Sequence, residues 1–68
     1  MMSDNYAILA GFTKEYIAES EIGPEIHIFA HPEDSLDCVS TVYDADNCEF
    51  ISLNCWHFTF TEIGESEL

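Results

Sequence analysis

Fourteen of the 68 side chains are carboxylates and only one, Lys14, is cationic, for a formal net charge of −13 at neutral pH. Any compact state of this chain must hold like charges together with almost no internal counter-charge, so repulsion is a standing cost of folding. Solubility alone asks for a net charge of magnitude about 2 to 8 in a small domain. The surplus calls for a second explanation, and a strongly basic partner supplies one.

The chain nevertheless carries enough apolar material to fold. Hydrophobic residues make up 47% and aromatics 13%, far from the apolar-poor composition of a disordered acidic tail. At this length a single small core is expected over 1–68, because a chain of about 60 residues buries only about 60% of its unfolded surface. Little chain is left to build a water-excluding catalytic cleft, which argues against an enzyme. The N-terminus lacks the positive region of a secretory signal, and no apolar run approaches the length of a membrane span. A soluble, intracellular protein is therefore expected. Anionic membrane surfaces and nucleic-acid backbones would both repel it, which excludes direct binding to either.

Helical spacing of Tyr6, Leu9, Ala10, Thr13, Tyr16, Ile17 and Ser20 predicts a helix from Tyr6 to Ser20, with Ser3, Asp4 or Asn5 as cap and Gly23-Pro24 as stop. Gly11 weakens that helix by about 1 kcal/mol and keeps a strand-turn-strand alternative open. Glu25–Ala30 alternates as a strand before His31-Pro32. Val39–Tyr43 and Glu49–Leu53 read as a hairpin around the Asp- and Asn-rich turn 44–48. A rival helix starting at Pro32 would use Leu36, Val39 and Tyr43. In the last apolar segment Ile51, Leu53 and Cys55 share one parity and Trp56, Phe58 and Phe60 the other, so a turn or bulge is expected near Asn54-Cys55. The resulting expectation is an α+β domain, one N-terminal helix packed on a three- to four-stranded antiparallel sheet, with a frayed tail over 64–68.

The reactive residue types form no established motif. Cys38, Cys48 and Cys55 are odd in number, which forbids a fully paired disulfide framework within one chain and fits free thiols in a reducing compartment. With His57 they lack the short paired spacings of zinc sites, so no metal or other cofactor is expected, although strand-borne ligands can converge in space. Asp44-Ala45-Asp46-Asn47 opens like a calcium loop, but the required glycine and bidentate glutamate are Glu49 and Cys55 here. Cys55 and His57 are two apart, yet a thiolate needs a positive environment and this chain is anionic throughout.

The acids themselves remain. They are spread along every segment, so a folded body would hold them in rows, as duplex DNA holds one charge per 1.7 Å of axis. The same acids would also serve as a merely solvated surface. Their density in mid-chain points first to Glu33, Asp34, Asp37, Asp44, Asp46 and Glu49 as the partner-binding set.

Small size, surplus acid and the aromatic-rich end Cys55-Trp56-His57-Phe58-Thr59-Phe60-Thr61 resemble the small phage-encoded anti-CRISPR proteins, and the opening Ser3-Asp4-Asn5-Tyr6-Ala7-Ile8-Leu9 is similar to inhibitors of type I-C systems. The resemblance spans the chain without a diagnostic motif, so no site residue is carried over by position. It implies a DNA mimic that binds the large, PAM-reading subunit of a type I CRISPR surveillance complex and blocks target DNA. Two further readings stand beside it: an acidic inhibitor of another host nuclease, restriction or DNA-repair enzyme, and a small structural or metal-binding domain using Cys38, Cys48, Cys55 and His57.

Overall fold

The computed structural model describes residues 2–65, with side chains from Asn5 onward. Its elements are helix α1 (Met2–Leu9), strands β1 (Lys14–Glu19), β2 (Ile26–Ala30), β3 (Val39–Asp44) and β4 (Glu49–Asn54), a 3₁₀ turn at Cys55–His57, and strand β5 (Thr59–Glu65). The class is α+β, as expected, but the sheet has five antiparallel strands in the order β4-β3-β2-β1-β5.

The helix expected from Tyr6 to Ser20 is corrected at Gly11. That glycine has φ +91°, and the amides of Gly11 and Phe12 donate to the carbonyls of Ile8 and Ala7 at 3.0 and 2.8 Å. This is the paired hydrogen-bond pattern of a Schellman cap, completed by the apolar contact between Ala7 and Phe12 around Phe29 and Tyr43. Beyond the cap, Lys14–Glu19 runs as a strand with hydrogen-bonded neighbours on both sides. Tyr16 and Ala18 turn toward one face and Glu15, Ile17 and Glu19 toward the other, as the period of a strand requires. The helix touches the sheet through buried Ala7, while Tyr6 and Leu9 stay exposed. It is a short partial cover, not the packed layer expected.

The remaining expectations fare better. β2 and the β3–β4 hairpin lie where alternation placed them, with Val42 opposite Ile51 and Ser40 opposite Leu53. The rival helix after Pro32 does not form; residues 31–38 are a connection, in which Leu36 has φ +55°. The break near Asn54-Cys55 is present as the 3₁₀ turn, capped by Asn54 Oδ1 accepting from the Trp56 amide at 3.2 Å. Gly64 and Glu65, expected to begin a frayed tail, instead pair with Glu15 and Lys14. Residues 66–68 of that tail lie outside the described residues.

The 3₁₀ turn also decides the shape of the sheet. β4 and β5 are its two edges, yet only residues 55–58 join them. A flat five-stranded sheet would set its edges about 19 Å apart, at 4.7–4.9 Å per strand. A 3₁₀ segment rises about 2 Å per residue and spans roughly half of that. The sheet must therefore coil until its edges approach. Ile28, Ala30, Val42 and Leu53 fill the concave side, and Tyr16, Ile26, Ile51, Phe58 and Phe60 pack against them. Ile51 and Leu53 thus meet Phe58 and Phe60 in one core despite their opposite parity.

Candidate functional site

Two of the six acids singled out in the sequence are structural fixtures. Asp44, at the end of β3, is buried at 5% exposure. Its carboxylate accepts from the amides of Asp46 and Asn47 at 3.0 and 3.3 Å and from Asn47 Nδ2 at 2.8 Å. It ties the hairpin turn, an Asx arrangement that suits aspartate before a turn. Asp34 does the same in the β2–β3 connection: one oxygen, Oδ1, accepts from the Leu36 amide and from Ser40 Oγ, both at 2.9 Å. Asp44 is thus buried in its turn, and Asp34 is half-buried with one of its two oxygens engaged.

The other four, Glu33, Asp37, Asp46 and Glu49, are exposed. They do not form one patch. Glu33 and Asp37 precede β3, whereas Asp46 and Glu49 follow it, so the six residues of β3 stand between the pairs. At about 3.3 Å per residue that separation approaches 20 Å. The mid-chain acids make two negative ends, not a single face.

A third acidic region was missed by weighting acid density alone. The turn after β1 and the 3₁₀ turn enclose an open cleft of about 650 Å³, whose walls include Glu19, Glu21, Ile22, Trp56, His57 and Phe58. Trp56 is 79% exposed and Ile22 is 93% exposed. Trp56 is not a loose side chain, because its Nε1–H donates to the carbonyl of Asp37 at 2.6 Å. The acceptor is the main-chain oxygen of Asp37, so the bond pins the ring against the chain just before β3. The legible signal was the parity break itself: a three-residue turn that returns Phe58 and Phe60 to the core must send the intervening Trp56 outward.

Basic side chains are sparse, and two of them lie close to carboxylates. Lys14 Nζ lies 3.8 Å from Glu62 Oε1, and His27 Nε2 lies 2.7 Å from Glu15 Oε2 on the convex face. The residue types considered for metal or nucleophilic chemistry do not assemble. Cys55 is buried while Cys38, Cys48 and His57 are exposed. Among the described residues no three His, Cys, Asp or Glu side chains gather as a group able to hold a metal ion. The 3₁₀ turn separates Cys55 from His57 by sending one inward and one outward, so the pairing they would share on a strand is not formed. No helix among the described residues is long and apolar enough to cross a membrane.

Comparison with protein-family models, with curated proteins and with solved structures finds no match to this chain.

Proposed function

We propose that this chain is a non-enzymatic inhibitor of the anti-CRISPR kind, a DNA mimic that occupies the basic, PAM-reading surface of the large subunit of a type I surveillance complex in the bacterial cytoplasm and keeps target DNA out. The observation that carries the reading is the net charge of −13 on a folded sheet whose one lysine lies near Glu62. Such a body projects a negative field in all directions, and a surface of Lys and Arg shaped for phosphate is its natural counterpart. RNA-guided effectors possess surfaces of that type where they read the PAM and hold displaced DNA. Long-range attraction would speed encounter, and the exposed apolar side chains would supply the part of the affinity that salt does not screen.

The test is competition. A type I-C surveillance complex is mixed with a fluorescent PAM-containing duplex, this protein is titrated in, and anisotropy is followed. Displacement that strengthens as salt is lowered supports the proposal. A complex that holds duplex and protein together, each binding as tightly as it does alone, would falsify it. The variant carrying Glu33→Lys, Asp37→Lys, Asp46→Lys and Glu49→Lys should fold and lose displacement, since these four positions are exposed. Displacement by this protein of DNA from an isolated host nuclease, with no effect on the surveillance complex, would select the enzyme-inhibitor alternative.

A further inference from the structure

We infer that the cleft between the turn after β1 and the 3₁₀ turn receives an arginine-bearing segment of the partner protein, with the guanidinium laid against the Trp56 ring and paired with Glu19 or Glu21. The inference deepens the proposed function and rests on it for the basic nature of the partner. It also moves the centre of the interface away from the mid-chain acids.

The argument starts from Trp56. A tryptophan is among the largest apolar side chains, and a chain this short has few with which to build a core. Here the ring is left 79% exposed, although Phe58 and Phe60, its neighbours in sequence, are drawn inward. The ring is also held in place. Its backbone amide is bonded to Asn54 Oδ1 at 3.2 Å and its Nε1–H to the Asp37 carbonyl at 2.6 Å. With both ends anchored, the conformational cost of presenting it to a partner has been met in folding, which is the condition under which an exposed aromatic becomes a binding anchor. Ile22, 93% exposed across the cleft, adds a second apolar contact.

Charge selects the occupant. The cleft walls carry Glu19 and Glu21 and no lysine or arginine. An aromatic face bordered by carboxylates suits arginine better than any other side chain. The guanidinium is planar, stacks on indole, and presents several donors to carboxylates, whereas lysine offers a compact, strongly hydrated charge. A volume of about 650 Å³ admits one such side chain with its flanking backbone.

The experiment uses a ten-residue arginine-rich peptide as probe, with a lysine-for-arginine version and a glycine-serine version as controls. Trp56 is the only tryptophan in the chain, so its fluorescence reports the cleft directly, and amide shifts in NMR spectra map the rest. Expected are saturable fluorescence changes, shifts concentrated in 19–22 and 56–59, and binding in the order arginine, lysine, neutral. Trp56→Ala should weaken the arginine peptide by about 30-fold, the tenfold-per-1.4-kcal/mol equivalent of a 2 kcal/mol anchor. Trp56→Phe, which keeps a ring, should weaken it less. If Trp56→Ala fails to fold, Glu19→Gln with Glu21→Gln serves instead, and should lower affinity and flatten its salt dependence.

Shifts spread evenly over all acidic segments, or an unchanged affinity in either variant, would overturn the assignment. So would concentration-dependent self-association through Trp56 in sedimentation, which would make a second copy the occupant. The two proposals fail separately. Peptide bound in the cleft, with no displacement of DNA from the surveillance complex, ends the inhibitor reading and leaves the cleft assignment intact. Undiminished displacement by folded Trp56→Ala ends the cleft assignment alone.

Discussion

Asp44 and Asp46 lie two residues apart in one acidic turn, yet substituting them should have different consequences. Asp44→Ala removes an acceptor that serves three donors, the amides of Asp46 and Asn47 and the Asn47 side chain. A hydrogen bond to a charged group contributes about 1.5–3 kcal/mol net. The three do not add fully, because Asp46 and Asn47 are exposed and their donors regain water. A loss of about 2–3 kcal/mol from these bonds is reasonable on that basis. Against it stands relief of repulsion: two carboxylates about 8 Å apart in water repel by about 0.5 kcal/mol before screening, and the exposed Asp46 and Glu49 are close in sequence. The net destabilisation is then about 1–2 kcal/mol. Asp46→Ala gains the same relief and gives up only a 3.4 Å bond from the His27 amide, so it should be neutral or stabilising by a few tenths of a kcal/mol.

Those differences are measurable against the whole. A domain of this size has a total stability of about 3–10 kcal/mol at 0.05–0.15 kcal/mol per residue. Urea melts should be followed by circular dichroism, since the one tryptophan is already 79% exposed in the folded state and its emission would change little. The two variants should show midpoints on opposite sides of the parent or clearly separated, with equal slopes. Coincident midpoints would refute the claim that Asp44 is a structural fixture and return it to the set of free surface acids.

Two other outcomes follow from the same structure. Raising sodium chloride from about 10 to 300 mM shortens the screening length from about 30 to roughly 6 Å, and should raise the melting temperature by several degrees, since repulsion among fourteen acids dominates the few ion pairs; a flat or falling temperature would show that the charges are not coupled. Gly11→Ala should destabilise by about 1–2 kcal/mol or more in urea melts, because φ is +91° and the new Cβ would stand 3.3 Å from the His31 ring; a neutral result would mean that the Schellman cap is dispensable.

Much of the sheet was legible because strand alternation is a local signal. Ile26, Ile28 and Ala30 repeat every second residue, and Val39–Asp44 and Glu49–Asn54 flank a turn rich in Asp and Asn, so β2 and the hairpin could be placed without reference to the rest of the chain. The parity conflict between Leu53 and Phe58 likewise required a break, and the 3₁₀ turn provides it. β1 was not legible in this way. Tyr16 and Ile17 fit helical spacing as well as alternation, and the choice falls to strand because β2 and β5, the latter more than forty residues downstream, hydrogen-bond it on both sides.

The candidate site divides along the same line. From the sequence alone came the excess of acid and the kind of partner it suits, for charge is additive and independent of conformation. Which carboxylates face outward depended on how the turns fold: Asp34 and Asp44 accept bonds from Leu36, Ser40, Asp46 and Asn47, whereas Glu33 and Asp46 stay exposed. The exposure of Trp56 beside Glu19 and Glu21 was decided by tertiary structure: β5 pairs with β1, with Glu19 opposite Thr59, so residues more than thirty positions apart in sequence become the walls of one cleft.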